Sequence, residues 1–265
     1  MSIAPSARIH PSAIVEAGAV VGADAVVGAF SLVGPEVVLG DGVEVRSHVV
    51  LTGRTDVGEG TQIYPFSSIG EVPQDKKFAG ERTSLTIGAR NRIREHVTMN
   101  AGTAQGGGRT VIGDDGLFMA GCHVAHDCRL GDRVIVVNHS AIAGHCQIED
   151  DVIVGGLSGI HQWVRIGRGA IIGALSMVTK DVVPYGLVAG PRAELDGLNL
   201  VGLKRKGVAR SDIQALRVAL LTLKQGEGTF LERAGRLGDE TDSAYVRHMV
   251  EFITGASDRS FLVPR

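Results

Sequence analysis

The sequence predicts a parallel β-solenoid of six-residue rungs followed by a small α-helical domain. Three observations predict it: an aliphatic residue at every sixth position, a column of small residues two places before each, and the end of both patterns at Pro184.

The aliphatic beat falls on Ile9, Val15, Val21, Val27, Val33, Leu39, Val45, Leu51, Val57, Ile63 and Ile69 without a miss. It returns at Ile87, Ile93 and Met99, then runs from Ile112 through Phe118, Val124, Leu130, Val136, Ile142, Ile148, Val154, Ile160, Ile166 and Ile172 to Val178. Neither the helical period of 3.6 nor strand alternation accounts for a period of six, whereas a fixed short repeat is the signature of a solenoid. Three rungs make a coil of 18 residues, and 26 beats make eight to nine coils. At about 4.8 Å per coil the prism is on the order of 40 Å long. Periodicity does not fix its handedness.

Two places before the beat stand Ala7, Ala19, Ala25, Ser31, Thr55, Thr61, Ser67, Ser140 and Ser158. All three cysteines, Cys122, Cys128 and Cys146, share that column, which reads as buried small packing rather than redox or metal chemistry. Aromatics are only 4% of the chain against 44% hydrophobic residues, as a core of small branched side chains requires.

The beat fails twice. Asp75 and Glu81 occupy expected apolar positions, and 13 residues separate Met99 from Ile112. Loops are therefore expected at 71–86 and 101–111, and long loops on a rigid scaffold commonly carry function. The solenoid is assigned to residues 1–190, with an irregular connection over 185–203. The helical domain is assigned to 191–265. Ser211–Gln214 reads as a capping box, with an apolar stripe of Ile213, Leu216, Leu220 and Leu223 after it. Further helices are expected at 230–237 and 244–253.

Several classes are excluded. A net charge of −2 gives no bulk attraction for nucleic acid. No run approaches the roughly 18 apolar residues of a membrane span, so no membrane insertion is expected. The N-terminus lacks the basic-then-apolar order of a signal peptide, and three cysteines make no disulfide framework. A cytoplasmic protein is expected.

Five of nine histidines lie between 123 and 161. Stacking by 18 puts His126, Gly144 and Gln162 in one column and Asp127, His145 and Trp163 in the next. Spacing alone also permits a solvated polar face. The chemical reading is acyl transfer: an imidazole can take a proton near neutral pH, Asp127 can orient it, and the Gly144 N–H can meet a developing oxyanion. No Ser or Cys nucleophile stands out, so direct attack by the acceptor is expected.

The stretches IGEVPQDKKFAGE, NRIRE, AHDC, AGH, HQ and GLKRKG resemble the UDP-N-acetylglucosamine O-acyltransferases that open lipid A biosynthesis, and the resemblance covers nearly the whole chain. It implies a left-handed β-helix and a homotrimer with sites between subunits. It implies transfer of a 3-hydroxyacyl chain from acyl carrier protein to the sugar 3-hydroxyl, with no metal and no resident cofactor, the acyl group arriving on the carrier's phosphopantetheine. His126 would be the base, Asp127 its orienter and Gly144 the oxyanion donor. Asp75, Lys77, His123, His145, His161 and Gln162 would line the substrate site, and Asn199 and Arg205 would reach the nucleotide. Ala174 matches the position that sets acyl length. Arg192, Val201 and Lys206 depart from the family pattern, which keeps a 3-amino UDP-sugar open as acceptor. A zinc carbonic anhydrase-like solenoid using His123, His126 and His145 is the alternative from another class.

Overall fold

The computed structural model describes residues 2–257 and 259–264. Three sheets of nine, eleven and nine short strands, parallel except for the final pair of the eleven, form the faces of a triangular prism, a left-handed β-helix. Most strands are two residues long, such as Val20–Val21 and His123–Val124. In the two-residue strands the aliphatic beat is the second residue and points inward. All 26 beats lie in or against the core, and only Ile9 and Val15, in the first coil, are partly exposed. Each fully buried Val or Ile is worth about 1.5–3 kcal/mol.

The small column is buried as expected, save for Ala7 in the first coil, which is partly exposed. Ser and Thr there hand their hydroxyl protons to backbone carbonyls, as Ser31 Oγ does to Arg46 O at 2.7 Å and Ser140 Oγ to Gly155 O at 2.7 Å. Cys128 and Cys146 do the same through sulfur, both at 3.1 Å. Burial pushes the Cys122 thiol up to about 12.

The corners depend on residues in the left-handed region, and most are not glycine. Phe30, His48, Phe66, His96, Asp127, His145, Leu157 and Trp163 all have φ between 57° and 68°. L-residues are disfavoured there, but the corner N–H is repaid by the coil before it: His145 N donates to His126 O and Trp163 N to Gly144 O, both at 3.0 Å.

Some expectations are corrected. The first loop covers fewer residues than 71–86, because Ser84–Ile87 already pairs with Arg54–Val57. The second ends before 109, because Arg109–Ile112 pairs with Ser84–Ile87. Residues 185–203 are not irregular: Gly186–Ala189 and Glu194–Leu198 pair antiparallel and extend one sheet, so the stretch after 190 begins with a strand.

Four helices follow: α1 (Leu200–Arg205), α2 (Arg210–Lys224), α3 (Phe230–Glu240) and α4 (Ala244–Thr254). The capping box expected at Ser211 does not form, since α2 starts one residue earlier and Asp212 accepts instead from Ser243 Oγ at 2.7 Å. A capping box closes α3, between Thr229 and Glu232. Among the described residues, no helix is long and apolar enough to cross a membrane.

The chain end returns to the last coil. Asp181 pairs with Phe261 and Leu195 with Pro264. The fully buried Asp181 carboxylate accepts from Arg165 N and Nε and from Ser257 Oγ, at 2.8, 2.7 and 2.8 Å. This tail covers a sheet edge that would otherwise present unpaired backbone groups.

Candidate functional site

The two loops fold over the corner that carries His126, and together they close a cavity of about 490 Å³. Asp75 and Lys77 enter it from the first loop, Thr103 and Gln105 from the second, and His126, His145, Gln162 and Trp163 from the corner columns. Asp75 shapes its own loop, Oδ1 accepting from Lys77 N at 2.9 Å. Glu81 ties the loops together, accepting from Ala79 N at 2.8 Å and Ala104 N at 3.2 Å. These backbone donors hold its carboxyl below the usual range.

Asp127 is the hub. Its side chain is fully buried, while His126 and His145 keep 13% and 12% of their side-chain surface. His126 Nδ1 lies 2.8 Å from Asp127 Oδ2. Thr103 N donates to Oδ1 at 2.9 Å and Thr103 Oγ1 to Oδ2 at 2.7 Å. Thr110 Oγ1 accepts the Asp127 N–H at 2.8 Å. The left-handed φ of 60° lets the adjacent His126 and Asp127 side chains meet, which flat strand geometry forbids. Gly106 is required beside them, because a Cβ there would overlap the Asp127 carboxylate.

With Nδ1 held by a carboxylate, the His126 proton belongs on Nδ1 and the Nε2 lone pair is free. A Cβ on Gly144 would sit 2.6 Å from His126 Cε1 and 2.8 Å from Nε2, so the glycine backbone lies directly against the reactive edge of the ring. Among the described residues, no acceptor faces the Gly144 N–H. The next coil supports the site from above: His145 stacks on Trp163 with centroids 3.8 Å apart and planes 5° apart. Burial pushes the His145 imidazole below its ordinary value, against the opposing pull of Asp127.

The cavity thus gathers Asp75, Lys77, His126, His145 and Gln162, while Asp127 is buried behind His126 and Gly144 lies against the His126 ring. Other expected site residues lie outside it. His123 bonds Thr98 Oγ1 through Nδ1 at 2.7 Å, and burial lowers its basicity. His161 is exposed beside Gln162 and meets Arg259. Asn199 caps α1, accepting from Gly202 N at 2.9 Å, and donates to Gly169 O at 3.0 Å. Asn199 and Arg205 line a separate cavity of about 730 Å³ between the solenoid and the helices. Ala174 is exposed on another corner beside Leu157, Leu175 and Met177, all exposed. Lys206 is ion-paired with Asp151, while Arg192 and Val201 are exposed; none of the three lines the His126 cavity.

His126, Asp127 and His145 offer three ligand atoms within 4.8 Å of one another. A cation there would have to displace the His126 N–H from Asp127. His123 stands outside this group, its Nδ1 taken up by Thr98. Thr103, Gln105 and Thr110 are among the site residues that sequence reasoning missed.

Comparison with known proteins agrees across the chain. Residues 181–262 match the family model described as UDP-N-acetylglucosamine O-acyltransferase, domain 2, and residues 18–53 and 145–180 match bacterial transferase hexapeptide repeats. The acyl-[acyl-carrier-protein]–UDP-N-acetylglucosamine O-acyltransferase of Paracoccus denitrificans is 62% identical over 202 residues, 76% of this chain and 77% of that one. The protein of the same name from Rhizobium etli is 49% identical over 264 residues, 99% of this chain and 97% of that one. The solved UDP-N-acetylglucosamine acyltransferase of Campylobacter jejuni superposes with a TM-score of 0.91 at 37% identity, covering 97% of this chain and 100% of that one. The Arabidopsis enzyme gives 0.78 at 32% identity, covering 98% and 99%.

Proposed function

This chain belongs to the UDP-N-acetylglucosamine O-acyltransferase family, and from that premise we propose how its residues carry the reaction. The protein moves an acyl chain from acyl carrier protein to UDP-N-acetylglucosamine, the first step of lipid A biosynthesis. Family membership sets aside the carbonic anhydrase-like reading, and the relatives' names specify an oxygen acceptor.

His126 Nε2 takes the proton of the sugar 3-hydroxyl as that oxygen attacks the thioester carbonyl. Asp127 holds the Nδ1 proton and stabilises the imidazolium that forms. The carbonyl oxygen takes up the displaced electron pair and is met by the Gly144 N–H. Collapse breaks the carbon–sulfur bond, and the His126 proton passes to the departing phosphopantetheine thiol. Products are the 3-O-acyl UDP-sugar and free carrier protein. No covalent enzyme intermediate is invoked, since the cysteines are buried in the core. No metal or resident cofactor takes part. The observation that carries this mechanism is the Nδ1–carboxylate bond, which leaves Nε2 unprotonated against the Gly144 backbone.

Asp75, Lys77, His145 and Gln162 hold the nucleotide-sugar and the carrier arm in the cavity, with His123 and His161 on its flank. Within one chain, Asn199 and Arg205 line a different cavity from His126. They reach the same nucleotide only from a neighbouring copy, which supports a homotrimer with sites between subunits. The exposed apolar wall of Leu157, Leu175 and Met177 receives the 3-hydroxyacyl chain, with Ala174 at its end setting length. The reaction is placed in the cytoplasm, where acyl carrier protein and UDP-sugars meet.

Mass spectrometry of products from UDP-N-acetylglucosamine and mixed 3-hydroxyacyl carrier proteins tests the reading. O-acylated UDP-sugar is expected, with a loss on the order of 10²–10⁴-fold in His126→Ala. Full turnover by that variant would overturn the assignment.

A further inference from the structure

We propose that Arg259, in the C-terminal tail, is a positioning residue that fixes the tautomer of His161 on the flank of the substrate site. The inference rests on the placing of His161 beside the substrate site proposed above.

His161 immediately precedes Gln162, which lines the cavity. It lies one coil along from Ala143 and two from Ala125, the residues just before Gly144 and His126. Two groups compete for its Nδ1. Arg259 Nη2 lies 2.9 Å away, and the Gln162 carbonyl oxygen 3.2 Å away. They demand opposite things. A guanidinium only donates, so it needs a lone pair on Nδ1; a carbonyl only accepts, so it needs a proton there. The shorter contact is the one with Arg259, which always carries its protons. With Arg259 in place, Nδ1 accepts and the ring proton sits on Nε2. Without it, the Gln162 carbonyl draws the proton to Nδ1 and Nε2 becomes an acceptor. One tail residue therefore decides whether His161 offers a donor or an acceptor to substrate.

Arg259 is held for this task. Its Nη1 donates to Thr179 O at 2.8 Å, and its backbone N–H to Ser257 Oγ at 3.1 Å. Ser257 is anchored in turn on buried Asp181, and Asp181 N donates to Ser260 O at 3.0 Å just beyond. The guanidinium is thus delivered from the last coil, on a segment that contributes nothing to the His126–Asp127 pair. The donor that results, His161 Nε2–H, suits an acceptor oxygen of either the nucleotide-sugar or the acyl-pantetheine arm.

The test is ¹⁵N-histidine NMR of the full-length protein, with Arg259→Ala, Arg259→Gln and Arg259→Lys, assigned by comparison with His161→Gln. An Nε2–H tautomer in the wild type that converts to Nδ1–H in Arg259→Ala is expected, with retention of Nε2–H in Arg259→Lys. Kinetically, kcat/KM falls about three- to tenfold in Arg259→Ala, the value of one lost hydrogen bond. Separate KM values for the two substrates identify which one His161 meets. In a His161→Gln background the Arg259 substitution has no further effect. An Nδ1–H tautomer in the wild type, an unchanged tautomer in Arg259→Ala, or additive kinetic losses would overturn the proposal. The NMR result stands whether or not the transferase reading holds, so the two fail separately.

Discussion

Replacing Asp127 with asparagine keeps the shape of the hub and reverses one proton. Two orientations of the new amide are available. If its NH₂ replaces Oδ1, it confronts the Thr103 N–H, a buried clash of donors costing about 1–3 kcal/mol. If it replaces Oδ2, Thr103 Oγ1 can turn and accept, but His126 Nδ1 must then accept as well. The second orientation is the cheaper, and it moves the His126 proton to Nε2. The base is then protonated on the edge that should receive the sugar hydroxyl's proton. Loss of the correct tautomer costs on the order of 10²–10⁴-fold in kcat, about 2.7–5.4 kcal/mol at 1.36 kcal/mol per decade. Stability should fall by only about 1–2 kcal/mol, since the hydrogen bonds persist without charge assistance. Initial rates with saturating acyl carrier protein, run beside thermal melts, separate the effects. A folded Asp127→Asn enzyme within about threefold of wild-type kcat would refute the tautomer argument.

Gly144→Ala drives a methyl group into the His126 ring and should lower kcat by about tenfold or more with little change in melting temperature; unchanged kinetics would show that the ring edge is not used. Ala174→Gly should shift the preferred acyl chain to greater length across a graded donor series, and an unmoved optimum would remove Ala174 from the groove. Burial lowers the basicity of both His123 and His145 in the folded state. The unfolded chain therefore takes up protons first as pH falls below about 6.5, so stability is full above that value and declines below it. Thermal melts at pH 7.5, 6.5 and 5.5 should show that decline, and the double variant His123→Gln/His145→Gln should flatten it; an equally steep loss in the variant would count against the burial argument.

Much of this is legible from spacing. Every coil is specified by an inward aliphatic residue, and because coils repeat every 18 residues, His126 over Gly144 and His145 over Trp163 follow from arithmetic on the sequence. What escapes is whatever breaks that arithmetic. Thr103 sits in an insertion, 24 residues from the Asp127 it bonds, so no column connects them. Thr110 falls in the small buried column, but nothing in the period says its oxygen accepts from Asp127 N. The strands Gly186–Ala189 and Glu194–Leu198 follow Pro184, where the period has ended and each segment is too short to show alternation. Helix α1 is six residues long with an internal glycine, and its N-cap, Asn199, doubles as a bond to the solenoid. Arg259 lies 98 residues from His161, and their meeting is set by the path of the tail.

The most direct measurement is a crystal structure of the protein with UDP-N-acetylglucosamine bound. The account predicts the sugar 3-hydroxyl oxygen at hydrogen-bond distance, about 3 Å, from His126 Nε2, with the His126 Nδ1–Asp127 bond intact. A sugar lying elsewhere, or a 3-hydroxyl beyond reach of that nitrogen while another hydroxyl or another side chain occupies the position, would contradict it.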